Sequence, residues 1–127
     1  MDRQIIIMTR DDQFRSAMQR VCTSQGCHIE TANSVATALE IAKRMSVCLM
    51  IAETSLRDIS NGMEMVKDVH QQNPALQCLM IVDESLTDHL ALLEKENWIH
   101  FVRKPISMLQ FALDVVDAIK KSKEEVE

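Results

Sequence analysis

Glycine is almost missing from this chain of 127 residues, occurring only at Gly26 and Gly62. A Walker-type phosphate loop, a G-x-G-x-x-G dinucleotide turn and a glycine-flanked serine elbow each need glycines in close succession, so all three are excluded. Cations are in the minority as well, with 14 Lys and Arg against 19 Asp and Glu, for a formal charge of -5. That balance disfavours duplex nucleic acid as a partner. The four cysteines, Cys22, Cys27, Cys48 and Cys78, form no C-x-x-C pair, and no histidine stands where it would complete a zinc site. Reduced, buried thiols are expected. No charged leader precedes an apolar segment, and no apolar run approaches the roughly 18 residues of a membrane span. The expectation is a cytoplasmic protein without a membrane partner.

What is present is the material of one packed domain. The hydrophobic fraction of 46%, with 26% charged residues, is too apolar for a disordered chain and sufficient for a core. Ile5 to Met8 is a continuous apolar run, Val47 to Ala52 a second and Cys78 to Val82 a third; Ile99 to Val102 is a shorter fourth. Such runs mark strands covered on both faces. His28 to Ala32 is less apolar, as an edge strand is.

Between the runs the period becomes helical. Phe14, Ala17, Met18, Val21 and Cys22 form one stripe, with Asp11 or Asp12 placed to cap it. Val35, Ala38, Leu39 and Ala42 form a second after Asn33 and Ser34; Met63, Val66 and Val69 form a third, stopped by Pro74. Leu86, Leu90 and Leu93 mark a fourth, and Met108, Phe111, Ala112, Val115 and Ile119 a fifth.

Five alternations of strand and helix predict an α/β domain of flavodoxin-like (βα)5 form, a three-layer sandwich around a parallel five-stranded sheet of order 2-1-3-4-5. The folded unit is expected over 1-119, with 120-127 a polar helix end or the start of a linker. In this arrangement the ligand crevice lies at the carboxyl ends of strands 1 and 3. Thr9, Arg10, Asp11 and Asp12 follow the first strand there, and Glu53 follows the third. Lys104, held extended by Pro105, ends the last strand within reach of Glu53.

These residues carry a resemblance. Ile5 to Met8, Leu49-Met50-Ile51-Ala52-Glu53, Asn61-Gly62, Leu79-Met80-Ile81-Val82 and Val102-Arg103-Lys104-Pro105 together resemble the receiver domain of a bacterial two-component response regulator, over essentially the whole chain. The resemblance implies an aspartate after strand 3 that accepts a phosphoryl group from a histidine kinase, acids after strand 1 that bind magnesium, and a lysine after strand 5 that contacts the phosphoryl group. It also implies a switch made of a hydroxyl residue after strand 4 and an aromatic on strand 5. Lys104 and Phe101 match; Glu53 stands at the acceptor position, Thr9 and Arg10 at the acidic pair, and Val82 at the hydroxyl position.

The chemistry of those changes points to an atypical receiver that works through protein contacts and needs no cofactor. Thr9 offers magnesium only a neutral oxygen, and Arg10 puts a cation near the metal's place. The extra methylene of glutamate shifts the carboxylate by roughly an ångström, a misplacement that can cost about a hundredfold in rate. On this reading Glu53 stands in for a phosphorylated acceptor, held by Arg10 and Lys104. The alternative is an active receiver: if strand 1 ran two residues further, Asp11 and Asp12 would become the acidic pair and bind magnesium. A flavin-binding protein of this fold is a further alternative, disfavoured because Thr9 to Gln13 is acidic where an FMN phosphate needs hydroxyls and amides.

Either receiver reading implies a histidine kinase or another two-component protein as partner, with no enzymatic activity beyond self-phosphorylation and dephosphorylation. Trp98 is expected to be partly exposed near the face of helix 4, strand 5 and helix 5, making it an interface candidate and that face a candidate for homodimerisation. His28, His70, His89 and His100 share no helical face, so surface or packing roles are expected.

Overall fold

The central strands are buried on both faces, and this sets the architecture. In the computed structural model, which describes residues 4–54, 59–83 and 96–126 and the side chains of all but 59 and 123–126 of these, β3 (Leu49–Glu53) and β4 (Gln77–Val82) lie mid-sheet. β1 (Gln4–Met8) and β2 (His28–Ala32) complete one side, and β5 (Ile99–Arg103) the other. The order is β2-β1-β3-β4-β5, with every pair parallel, as the alternation predicts. All six residues of β4 are buried, whereas β2, on the edge, buries only Ala32 fully.

The pleat divides the core in two. Ile6, Met50, Ala52, Cys78 and Met80 point to one face, where α2 (Val35–Arg44) supplies Ala38, Ile41 and Ala42 and α3 (Ile59–Gln72) supplies Met63, Met65, Val66 and Val69. Ile5, Ile7, Leu49, Ile51, Leu79 and Ile81 point to the other. There α1 (Asp12–Thr23) adds Met18 and Cys22, and the C-terminal helix (Met108–Val126) adds Phe111, Val115, Ala118 and Ile119. Within the expected fifth stripe Met108, in the first turn of that helix, is the exception, being 42% exposed. The fourth helical stripe, Leu86 to Leu93, lies outside the described residues.

Local chemistry starts and stops the helices as anticipated. The Asp11 carboxylate accepts the Phe14 N–H at 3.0 Å and the Ser34 hydroxyl accepts the Thr37 N–H at 3.2 Å, each capping its helix. Gly26 takes a φ of 73°, the left-handed conformation that lets the chain reverse between α1 and β2. Past the end of α3, the Asn73 side chain accepts the Val47 N–H at 2.9 Å and donates to the Val69 carbonyl at 3.0 Å, tying the helix to the entrance of β3. Burial pushes the thiols of Cys22 and Cys78 up to about 12, so both stay protonated and inert at neutral pH.

Because Ile51 is wholly buried between β1 and β4, Ile51→Ala is expected to lower unfolding free energy by about 2–5 kcal/mol. Leu113→Ala, at a position 54% exposed, should stay within about 0.5 kcal/mol. Urea denaturation of the two variants checks the contrast.

Candidate functional site

Parallel register determines which side chains meet at the carboxyl edge. Met8 pairs with Ala52, Glu53 with Ile81, and Val82 with Arg103. Ladder-like hydrogen bonds run one residue beyond the strands, from Thr9 N–H to Ala32 at 3.1 Å, Thr54 N–H to Ile81 at 2.9 Å and Lys104 N–H to Val82 at 3.0 Å. Backbone pairing therefore sets Thr9 beside Glu53, and the long side chain of Lys104, two residues past the position level with Glu53, reaches back to join them. They line a cavity of about 550 Å³ that also takes in Arg10, Asp83 and the N-terminal residues of α2.

At its centre is Glu53, whose side chain is 19% exposed. Its Oε2 faces the Lys104 ammonium at 2.5 Å, and its Oε1 accepts the Thr9 hydroxyl at 2.8 Å. Thr9, 3% exposed, is itself held on every polar atom. Its hydroxyl accepts the Asp11 N–H at 3.1 Å and its carbonyl accepts an Arg15 Nη2–H at 3.3 Å. The hydrogen bond to Glu53 raises the Lys104 pKa above its ordinary 10.5, with desolvation opposing and the fields of Glu53, Asp83 and Asp11 adding.

Arg10, expected to hold Glu53, does not. It lines the cavity but is exposed, and among the described residues it makes no ion pair with Glu53. A long guanidinium side chain at the rim stays hydrated, and the short buried threonine takes the carboxylate instead. Asp11 and Asp12 do not form an acidic pair at the crevice either, because β1 ends at Met8 and the two-residue extension is not found. Asp11 caps α1, and Asp12, 87% exposed, pairs with Arg15 at 2.7 Å.

Magnesium needs near-octahedral oxygen ligation, usually including one or two carboxylates. The described donors fit it poorly: Glu53 is engaged at both oxygens, Thr9 is neutral, Asp11 is committed to its cap, and Asp83 is left as a single carboxylate at the cavity wall with no acidic neighbour paired to it among the described residues. Among the described residues no three His, Cys, Asp or Glu side chains are grouped to hold a metal.

Val82 is wholly buried, and Phe101 is half-buried against the α2 and α3 face of the sheet. Trp98 corrects the expectation of partial exposure: it is 6% exposed and packs on that same face. Its carbonyl accepts the Cys78 N–H at 2.8 Å, so it already belongs to the sheet. Its indole stacks on His70 of α3, with centroids 4.0 Å apart and planes within 5°. Gly62 sits where a Cβ would come within 3.4 Å of Thr54 Oγ1, a tight approach beside the crevice.

Comparison with known proteins agrees with this geometry. The family model of the response regulator receiver domain matches residues 5–116, and the chain belongs to that family. It is a receiver domain of the kind used in two-component signalling. No curated protein matches it. Among solved structures it is similar to a response regulator receiver domain protein from Clostridium thermocellum (19% identity, TM-score 0.79, covering 95% of this chain and 97% of that one). It is also similar to a CheY-like receiver domain protein from Methanospirillum hungatei JF-1 (17%, 0.79, 98% and 99%). A two component transcriptional regulator AraC from Clostridium phytofermentans ISDg is a third (17%, 0.83, 97% and 97%). At these identities the likeness is one of fold. No helix among the described residues is long and apolar enough to cross a membrane.

Two outcomes test the centre. Thr9→Val, which removes the hydroxyl's hydrogen bond to a partly buried carboxylate and the one it accepts from the Asp11 N–H, is expected to cost about 1–3 kcal/mol in urea denaturation. Lysine is stabilised in its charged form here, so its contribution is complete below pH 10.5 and is lost as pH rises through the elevated folded-state value. The stability gap between wild type and Lys104→Met should therefore narrow on that alkaline limb; a gap independent of pH would contradict the assignment.

Proposed function

We propose that this receiver is atypical: it signals through protein contacts with its crevice held permanently in a charged state, without a magnesium-dependent phosphorylation cycle. The observation that carries this reading is the double engagement of Glu53, by Lys104 at one oxygen and by Thr9 at the other. A glutamate reaches one methylene further from the backbone than an aspartate does. Its carboxylate thus meets the Lys104 ammonium directly, the contact that family resemblance assigns to the phosphoryl group. Glu53, at the phospho-acceptor position, and Lys104 are the residues on which this state rests.

The position of the switch hydroxyl supports the same reading. Val82, read from the sequence as that position, is the last residue of β4 and is buried in the core, and the residue that follows the strand and lines the crevice is Asp83, a carboxylate that repels a phosphoryl group where a hydroxyl would bind it. Phe101, its partner in the family's switch, then has no hydroxyl movement to follow. The expected partners are a histidine kinase or another two-component protein, and the cell compartment is the cytoplasm. Self-association through the last strand and the C-terminal helix remains part of the proposal, with exposed Met108, Leu109 and Leu113 at the start of that helix as the apolar contact.

Amide NMR during titration with magnesium, followed by beryllofluoride, decides the matter. The wild-type chain is expected to give no saturable shift at millimolar magnesium. A saturable shift abolished by Glu53→Gln would overturn the reading in favour of an active receiver. Conversely, the triple variant Thr9→Asp, Arg10→Asp, Glu53→Asp restores an acidic pair and acceptor, and is expected to gain the magnesium response that the parent lacks.

A further inference from the structure

We propose that the groove between α2 and α3 docks a basic amphipathic segment of a partner protein. The groove, about 290 Å³, is lined by Val35 and Leu39 from α2 and by Asn61, Glu64, Met65 and Asp68 from α3. Helical spacing explains the grouping. Val35 and Leu39 are one turn apart on α2, and Asn61, Glu64 and Asp68 recur at i, i+3 and i+7 on α3, so each set occupies one side of its helix.

The floor and the rim differ in chemistry. Met65 is 1% exposed and Val35 and Leu39 are half-buried, giving an apolar floor whose thioether adapts to the shape above it. Glu64 and Asp68 are exposed on the wall, and among the described residues neither forms an ion pair. The acid across on α2, Glu40, lies near Lys43 at 3.9 Å, whereas Lys67, between the two unpaired acids in sequence, does not line the groove. An apolar floor below two uncompensated carboxylates is complementary to a helix or extended segment that inserts an apolar side chain and flanks it with Lys or Arg. The net charge of -5 favours the approach of such a segment.

The groove also adjoins the crevice. Val35 and Asn61 line both cavities, so a docked segment would press on the residues that flank Glu53 and Lys104. The surface does not depend on whether Glu53 can be phosphorylated, and it is distinct from the face that includes the C-terminal helix.

The test uses the whole ¹⁵N-labelled chain and a synthetic amphipathic peptide of leucine and lysine at helical spacing, with a leucine and glutamate peptide of the same pattern as the opposite-charge probe. Saturable shifts confined to α2, α3 and the crevice edge are expected with the basic peptide only. The double variant Glu64→Gln, Asp68→Asn should weaken binding about tenfold, near the upper end of what two exposed ion pairs supply. Glu96→Gln, Asp117→Asn, which removes the same charge elsewhere from exposed positions, should leave it unchanged. The proposal fails if the shifts map to another face, if the charge-matched control weakens binding equally, if the acidic peptide binds as well, or if no saturable binding occurs.

Discussion

Everything at the crevice depends on the burial of β3 and β4 on both faces. Their side chains alternate between two helical layers, so a slip of one residue in register would swap the occupants of both cores at once. Met50 and Met80 sit beside α3, and Leu49, Ile51 and Ile81 sit beneath α1 and the C-terminal helix. Register is thus fixed by packing energy summed over the sheet, and the residues one step beyond the strands are carried along. Glu53 and Lys104 lie far apart in sequence and meet because two parallel pairings set Glu53 level with Ile81 and Ile81 level with Val102, so that Lys104, two residues further along, can reach back to the carboxylate.

The ion pair they form differs from a surface salt bridge in its surroundings. Glu53 is mostly buried and hydrogen-bonded by a threonine that is itself buried, so its carboxylate is held by a second partner besides the lysine. Arg15 has a similar holding role, one turn into α1, where it binds the Thr9 carbonyl and Asp12 together. Desolvation of a carboxylate is costly, and the hydroxyl and the ammonium offset it together. Asp83 and Asp11 lie within electrostatic range of Lys104 as well, so one ammonium serves a locally acidic pocket. A magnesium ion has that duty in a receiver with an acidic pair.

The fold was legible because its signals are collective. Apolar runs predict the central strands, lower apolarity marks the β2 edge, and residue type narrows the first cap to Asp11 or Asp12 and places Asn33 and Ser34 ahead of the second helix, with the structure selecting Asp11 and Ser34. Glu53 and Lys104 stand out for the same reason, since one ends an apolar strand and the other directly follows one. The failures concern single side chains whose choice is between solvent and protein. Arg10 was expected to reach Glu53 on charge alone, yet a guanidinium at an open rim loses little by staying in water. Trp98 was expected at a surface because it precedes an edge strand; its backbone already joins β4, and α3 supplies an aromatic face in His70. No pattern in the sequence links residues 70 and 98, since their stacking is a product of the crossover between α3 and β4.

Asp11 shows most clearly why position outweighs composition at this site. The chain contains an Asp-Asp pair close to where a receiver's metal-binding acids would stand, and a count of nearby carboxylates would predict ligation. Strand β1, however, must end where its last apolar residue ends, and α1 must begin soon enough to lay Met18 and Cys22 on the sheet. Between those limits there is room for Thr9 and Arg10 before Asp11 becomes the cap. A carboxylate that accepts the Phe14 N–H is stabilising a helix start, and turning it toward a metal would leave that donor unsatisfied. The core thus sets the length of the β1–α1 connection, and that length makes Thr9, a neutral hydroxyl, the neighbour of Glu53. Which residue stands beside Glu53 is thus decided by a register the hydrophobic core does not permit to shift.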